Sequence, residues 1–398
     1  MNSTEDPQLP EIPPGLPEAQ PGETGTPIRT LELVPAEKEP AETRALLWAL
    51  WGSRGLRAGW SILTFVVLFS FLASGVGYLF FHFHLASNQK YDVTAGSAFF
   101  SELIFFLAMV GAAAIVALIE RRRGNLLAYN LSGPGGGVRF LSGFVSGFAA
   151  LSVLIGALSL GGWLHFGIVA LSGFDILKYA LIWAGAFLLV ASVEEGLFRC
   201  YLQFTLTRGI NFWWALGVIA LICGDLVFRG KGNGIWGIYG IAALGLVPCL
   251  VLHLKKAAGS GFWQATWVTS TLFGFIHTSN NGENWIGIFA AALIGFAFCV
   301  SLWATGSAWW AIGCHAAWDW AETYFYGAAD SGNVASGHYL TTSPAGAALW
   351  SGGTDGPEGS VLVIPVVLLL MVIVLVFFRR GKIAAQATPA MSQASQPA

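Results

Sequence analysis

Of the chain's 398 residues, 55% are hydrophobic and only 11% are charged, with a formal net charge of -2 at pH 7. A soluble protein of ordinary composition carries roughly 25% charged residues, and a nucleic-acid surface would need a basic excess that is missing here. Several runs reach the ~20 apolar residues that a helix needs to span a bilayer core. The composition therefore points to an all-α polytopic membrane protein, with the lipid bilayer as a partner and no nucleic acid.

Residues 1–45 differ from the rest. They hold nine of the 16 prolines and nine acidic residues, and a segment so poor in apolar clusters cannot offset the entropy of ordering itself. It is expected to be a disordered cytoplasmic tail. It has no basic stretch leading into an apolar one, so it does not read as a cleavable signal peptide.

About ten transmembrane helices follow, near 59–82, 98–119, 140–164, 177–206, 212–228, 235–254, 261–279, 285–304, 308–326 and 361–378. Residues 46–135 contain an N-terminal hairpin and 136–326 a helical core with an inserted hairpin near 212–254. The fourth segment is too long for one straight span and is expected to tilt or project. Residues 327–360 read as a Gly, Ser and Thr-rich loop on the non-cytoplasmic face, 361–380 as the last helix and 381–398 as a short cytoplasmic tail. Arg54 and Arg57, Arg121 to Arg123, Lys255 and Lys256, and Arg379, Arg380 and Lys382 all fall on one side of this arrangement. The positive-inside rule then sets both termini in the cytoplasm, with Arg229 and Lys231 dissenting. The five cysteines lie in or beside apolar runs without paired spacing, and read as buried small hydrophobes.

Ionisable residues inside such runs are costly and need a reason. The candidates are Glu194, Glu195, Arg199, Asp225, His277, His315, Asp319 and Glu322. Glu195 and Arg199 stand at i and i+4 on one helical face, close enough to pair. Glu194 points about 100° away from Glu195 and is left without a local partner. His315, Asp319 and Glu322 stand at i, i+4 and i+7 along a second face. Asp225 is expected to pair with Arg229 at i+4. Counting from the helix ends at about 1.5 Å per residue puts Glu194, His277, His315 and Asp319 within reach of a common buried polar site.

Two chemistries fit such a site. A carboxylate and a histidine can activate water while a second histidine, with a carboxylate or amide neighbour, stabilises an oxyanion. Alternatively Glu194, His277 and His315 can ligate zinc, with water in the open position. A proton-coupled transporter would use the same residue types, but the polar residues cluster instead of lining a path, and no inverted repeat is visible.

Three stretches carry a resemblance: "EEGLFR" (194–199), "FGFIH" (273–277) and "HAAWD" (315–319). In this order on successive helices they resemble the CAAX prenyl protease and bacteriocin-processing family, also called CPBP or Abi. The loop text "DGPEGS" fits a bacterial branch, which implies the plasma membrane. The resemblance implies an intramembrane endopeptidase acting on a peptide or membrane-anchored protein, described both as metal-dependent and as glutamate-based, with the second favoured and no cofactor. It implies Glu194, Glu195, Arg199, His277, His315 and Asp319 as the site, with Glu194 and His277 activating water and His315 and Asp319 as the pair assigned to oxyanion stabilisation. A catalytically silent scaffold or bacteriocin-immunity protein of the same fold is the alternative. Two departures stand out. Asp319 occupies a position where asparagine is common, so it is expected to orient His315 instead of donating to an oxyanion. The 82 residues between Glu195 and His277 leave room for an extra hairpin.

Overall fold

In the computed structural model the described residues are 48–52, 55–83, 94–120, 125–230, 235–256, 258–280 and 282–378. The two tails expected at 1–45 and 381–398, and the basic groups Arg54, Arg121 to Arg123, Lys231, Arg379, Arg380 and Lys382, lie outside them. A short antiparallel pair, β1 (Trp51–Gly52) and β2 (Gly55–Leu56), leads into α1 (Ala58–His82) and α2 (Ala95–Ile119). α2 starts at a reciprocal cap in which Thr94 and Ser97 satisfy each other's backbone N–H groups.

α3 (Gly136–Leu160) is followed by β3 (Leu164–Val169) and α4 (Phe174–Glu195). α4 widens into a π turn (Gly196–Leu202) and resumes as α5 (Gln203–Thr207), so the over-long fourth segment is one helical run of 34 residues. The inserted hairpin is α6 (Phe212–Phe228) and α7 (Ile235–Lys255). Then come α8 (Ser260–His277), α9 (Trp285–Thr305) and α10 (Trp309–Asp319), the last running into a second π turn (Trp320–Tyr326). After the segment 327–360, α12 (Val363–Phe377) ends the described chain.

Each of the ten expected segments is helical, and six helical runs among the described residues are long and apolar enough to cross a membrane. Large apolar side chains such as Leu63, Phe71, Leu181 and Leu221 point outward, as helices facing lipid require. The protein is an integral membrane protein.

Two features depart from the expectation. Residues 327–360 are more than a loop: β4 (Leu340–Pro344) pairs antiparallel with β3, in the register Leu164 to Pro344 and Phe166 to Thr342. A short α11 (Ala348–Ser351) and a 3-10 turn at Pro357–Gly359 follow. Alternating polar residues in "YLTTSP" gave too short a signal to outweigh the surrounding glycines. The segment 140–164 also stops short as a helix, because Gly162 takes φ 74° and turns Leu164 into β3.

The core sits where α3, α9, α10 and α12 meet, around Leu151, Leu154, Phe298, Trp310 and Val367. α3 and α10 approach at backbone distance. A Cβ on Gly143 or Gly147 would stand 2.1 Å from the carbonyl oxygens of Trp310 and Cys314, and one on Gly313 would stand 2.1 Å from that of Phe140. Gly143 and Gly147 are four apart, the spacing of a small-residue membrane-helix seam. This seam fixes the helix that carries His315 and Asp319.

Candidate active site

The "EE" pair closes α4 just before its π turn, and "HAAWD" closes α10 just before the other. Such widened turns recur at functional sites because they re-aim side chains that a regular helix would leave on other faces. Here one turn follows Glu194 and the other follows Asp319, and both of these residues line one cavity.

Glu195 and Arg199 form the expected ion pair, Oε2 to Nε at 3.1 Å, with side chains 0% and 1% exposed. Arg199 is caged by aromatic rings, its guanidinium 4.3 Å from the Phe273 ring centre and 5.4 Å from that of Phe298. Asn130 donates to its backbone carbonyl at 2.8 Å. Gly295 makes the room, since a Cβ there would stand 2.5 Å from Arg199 Nη2.

The pair is not closed on itself, however. Glu195 Oε1 lies 2.9 Å from His315 Nδ1, so the carboxylate accepts from the ring N–H while holding Arg199. The other ring nitrogen, Nε2, faces Asp319 Oδ2 at 3.4 Å and Glu194 Oε2 at 3.8 Å. Glu194 therefore has a neighbour that its own helix could not reveal, although its Oε2 makes no hydrogen bond. Asp319, one turn on from His315, thus stands beside its ring.

His277, at the end of α8, lies with its Nδ1 2.7 Å from the Phe273 carbonyl. A carbonyl only accepts, so Nδ1 carries the proton and Nε2 of the neutral ring is an acceptor. Glu194, His277, His315 and Asp319 all line one cavity of about 380 Å³, within the range of small-ligand sites. Trp183, Phe187, Ile294 and Val367 give it apolar walls. The segment 327–360 closes one side with Asp330, Ser331, Asn333 and Glu358.

The structure separates other candidates from this group. Asp225 pairs with Arg229, which also donates to Ser279 Oγ, and it does not line the cavity. Glu322 leaves the expected face because the π turn begins at Trp320, and it too is absent from the cavity wall. Glu195 and Arg199 support the wall from behind it.

Glu102, on α2, lines the cavity and was missed. It is a lone acid in the apolar run "FFSELIFFL", so the test applied to the other helices would have found it. Asn280, Asp330 and Glu358 also line the cavity but sit in connecting segments, where a polar residue raises no question.

The zinc alternative fits the side chains poorly. Among the described residues, the acids and histidines whose ligand atoms gather within 4.8 Å of one another are Glu322, Asp330 and Glu358, not Glu194, His277 and His315. All five cysteines are free, and four are buried.

No match was found among curated proteins or solved structures. Residues 249–321 match the family model described as "Type II CAAX prenyl endopeptidase Rce1-like". The matched stretch runs from the end of α7 through Trp320 and Ala321, and so contains His277, His315 and Asp319 but not the "EEGLFR" motif. Over these residues the match bears out the CAAX prenyl protease family that the three motifs resemble.

Proposed function

We propose that this chain is an intramembrane endopeptidase that hydrolyses a peptide bond of a membrane-associated peptide or protein. The observation that carries this reading is the convergence of Glu194, His277, His315 and Asp319 on one cavity set among apolar helices. The Rce1-like match supports proteolysis in general.

Glu194 acts as the base. Its Oε2 has no hydrogen bond to give up, so it is free to take a proton from water, while His277 Nε2 accepts from the same water and orients it. The hydroxide oxygen bonds to the scissile carbonyl carbon, and the carbonyl electron pair moves onto oxygen. His315 donates from a protonated Nε2 to that oxyanion. Glu195 accepts from Nδ1 and sets the ring, and Asp319 steadies it at Nε2. Collapse expels the amine, which takes the proton held by Glu194. No step runs through a metal.

A carboxylate cannot share the oxyanion as an asparagine amide would, so this chain leans on His315 alone for that bond. The reading also sets the protein in a bacterial plasma membrane with both termini in the cytoplasm.

The test is cleavage of a fluorogenic peptide library by purified protein in detergent, wild type against Glu194→Gln, each with and without a zinc chelator. Loss of cleavage in the variant and indifference to chelator support the reading. Loss on chelation would turn Glu194 and the histidines into metal ligands. Cleavage undiminished in Glu194→Gln would remove the proposed base, and an inert wild type would favour a silent scaffold of the same fold.

A further inference from the structure

In the wall of the cavity, where Asp330 and Glu358 line it and Glu322 stands behind them, lies an acidic group that the proposed hydrolysis does not use. Ligand oxygens of Glu322, Asp330 and Glu358 all lie within 4.8 Å of one another. Glu322 is 0% exposed, and neither of its carboxylate oxygens has a hydrogen-bond partner. The other two are each held by one donor from the helix beside them: Thr323 donates its hydroxyl to Asp330 at 3.0 Å, and Trp318 its indole N–H to Glu358 at 2.7 Å. Among the described residues, no Lys or Arg pairs with any of the three.

The chain goes to some length to build this arrangement. Gly327, at φ 60°, reverses the backbone after the second π turn, and a Cβ there would stand 2.0 Å from the Leu340 carbonyl oxygen. That reversal carries Asp330 back over Glu322. Glu358 arrives from the far end of the same segment, in the turn Pro357–Gly359. Three carboxylates gathered from two places, one of them wholly buried, repel each other and lose hydration. Buried charge of this kind is found paired or on a metal.

We propose that Glu322, Asp330 and Glu358 form a binding site for a hard divalent cation, of the Ca²⁺ or Mn²⁺ class, at the wall of the cavity where Asp330 and Glu358 line it, and made without Glu194, His277 or His315. The donor set is all carboxylate oxygen, which suits hard cations over zinc or copper. Backbone carbonyls and water complete the shell. The ion ties the end of the helix bearing His315 and Asp319 to the segment that closes the cavity, so its effect is to stiffen that closure.

Burial, and then the neighbouring Asp330, push the Glu358 carboxyl well above its ordinary range. Burial likewise raises Asp330. Protons compete with a cation for these carboxyls, so binding weakens as pH falls.

The test uses full-length protein in detergent, stripped of metal and titrated with Mn²⁺ alone, reading free Mn²⁺ by electron paramagnetic resonance. The expected result is one Mn²⁺ bound per chain, displaced by Ca²⁺, with Tm raised by several degrees. Glu322→Gln and Asp330→Asn should each weaken binding at least tenfold, while Glu194→Gln leaves it unchanged. If Glu322→Gln does not fold, Glu358→Gln carries the same comparison from the segment side. No Mn²⁺ bound at millimolar concentration, or binding that survives these substitutions, overturns the site. Binding lost in Glu194→Gln overturns it too, by moving the ion onto the residues assigned to hydrolysis. Because the readout is binding, the outcome does not depend on whether the chain cleaves peptides.

Discussion

Glu195 and His315, 120 residues apart in sequence, meet at 2.9 Å, and the same carboxylate holds Arg199 at 3.1 Å. Glu195 is thus the joint between the two helices of the site, while Glu194 next to it faces the cavity. The two neighbours should answer mutation differently. Removing the charge of Glu195 leaves Arg199 buried and unpaired, which costs about 3–5 kcal/mol. Glu195→Gln is expected to lower Tm strongly and to lose activity with the fold. A Glu195→Gln protein of wild-type Tm would contradict this.

Glu194 has a 29% exposed side chain and no ion pair with Arg199. Glu194→Gln should therefore fold normally and lower kcat by about 10²- to 10⁴-fold. Circular dichroism melts beside cleavage rates make the comparison. A fall in Tm matching that of Glu195→Gln would show Glu194 to be structural.

The seam between α3 and α10 makes a prediction away from the chemistry. Ala at Gly143 or Gly147 drives a methyl group into a backbone carbonyl that cannot move alone. Either change should cost about 1–3 kcal/mol and reduce activity by displacing His315. Ala at Gly75, with nothing within 4 Å of its Cβ, is the control and should do neither. Equal melting of Gly147→Ala and the control would mean that the seam has slack.

Stability should depend on pH through the connecting segments. Burial, then repulsion from Asp355, lifts the Glu283 carboxyl from its ordinary value of 4.5 to about 8, against a hydrogen bond donated by Asn280. Burial lifts Asp355 to about 6. The folded state keeps protons that the unfolded chain has lost, so stability falls as pH rises from about 4.5 toward 8. Above pH 6 the fall belongs to Glu283 more than to Asp355. Glu283→Gln should flatten Tm against pH between 6 and 8; an unchanged slope would assign the effect elsewhere.

The sequence by itself determined whatever is local along one helix. Apolar length marked the helices, since a segment without water must satisfy its own backbone. Spacing of i and i+4 marked Glu195 with Arg199, His315 with Asp319, and Asp225 with Arg229, because one helical turn brings such pairs together in any fold. Only the tertiary structure decided the rest. The contact of Glu195 with His315 depends on how α4 and α10 pack, and that follows from the glycine seam against α3. Glu102 matters only because α2 lies against the cavity. Glu322 turned from the cavity toward Asp330 and Glu358 because a π turn re-aims it, and widening a helix by one residue is a packing decision with no period for a sequence to display.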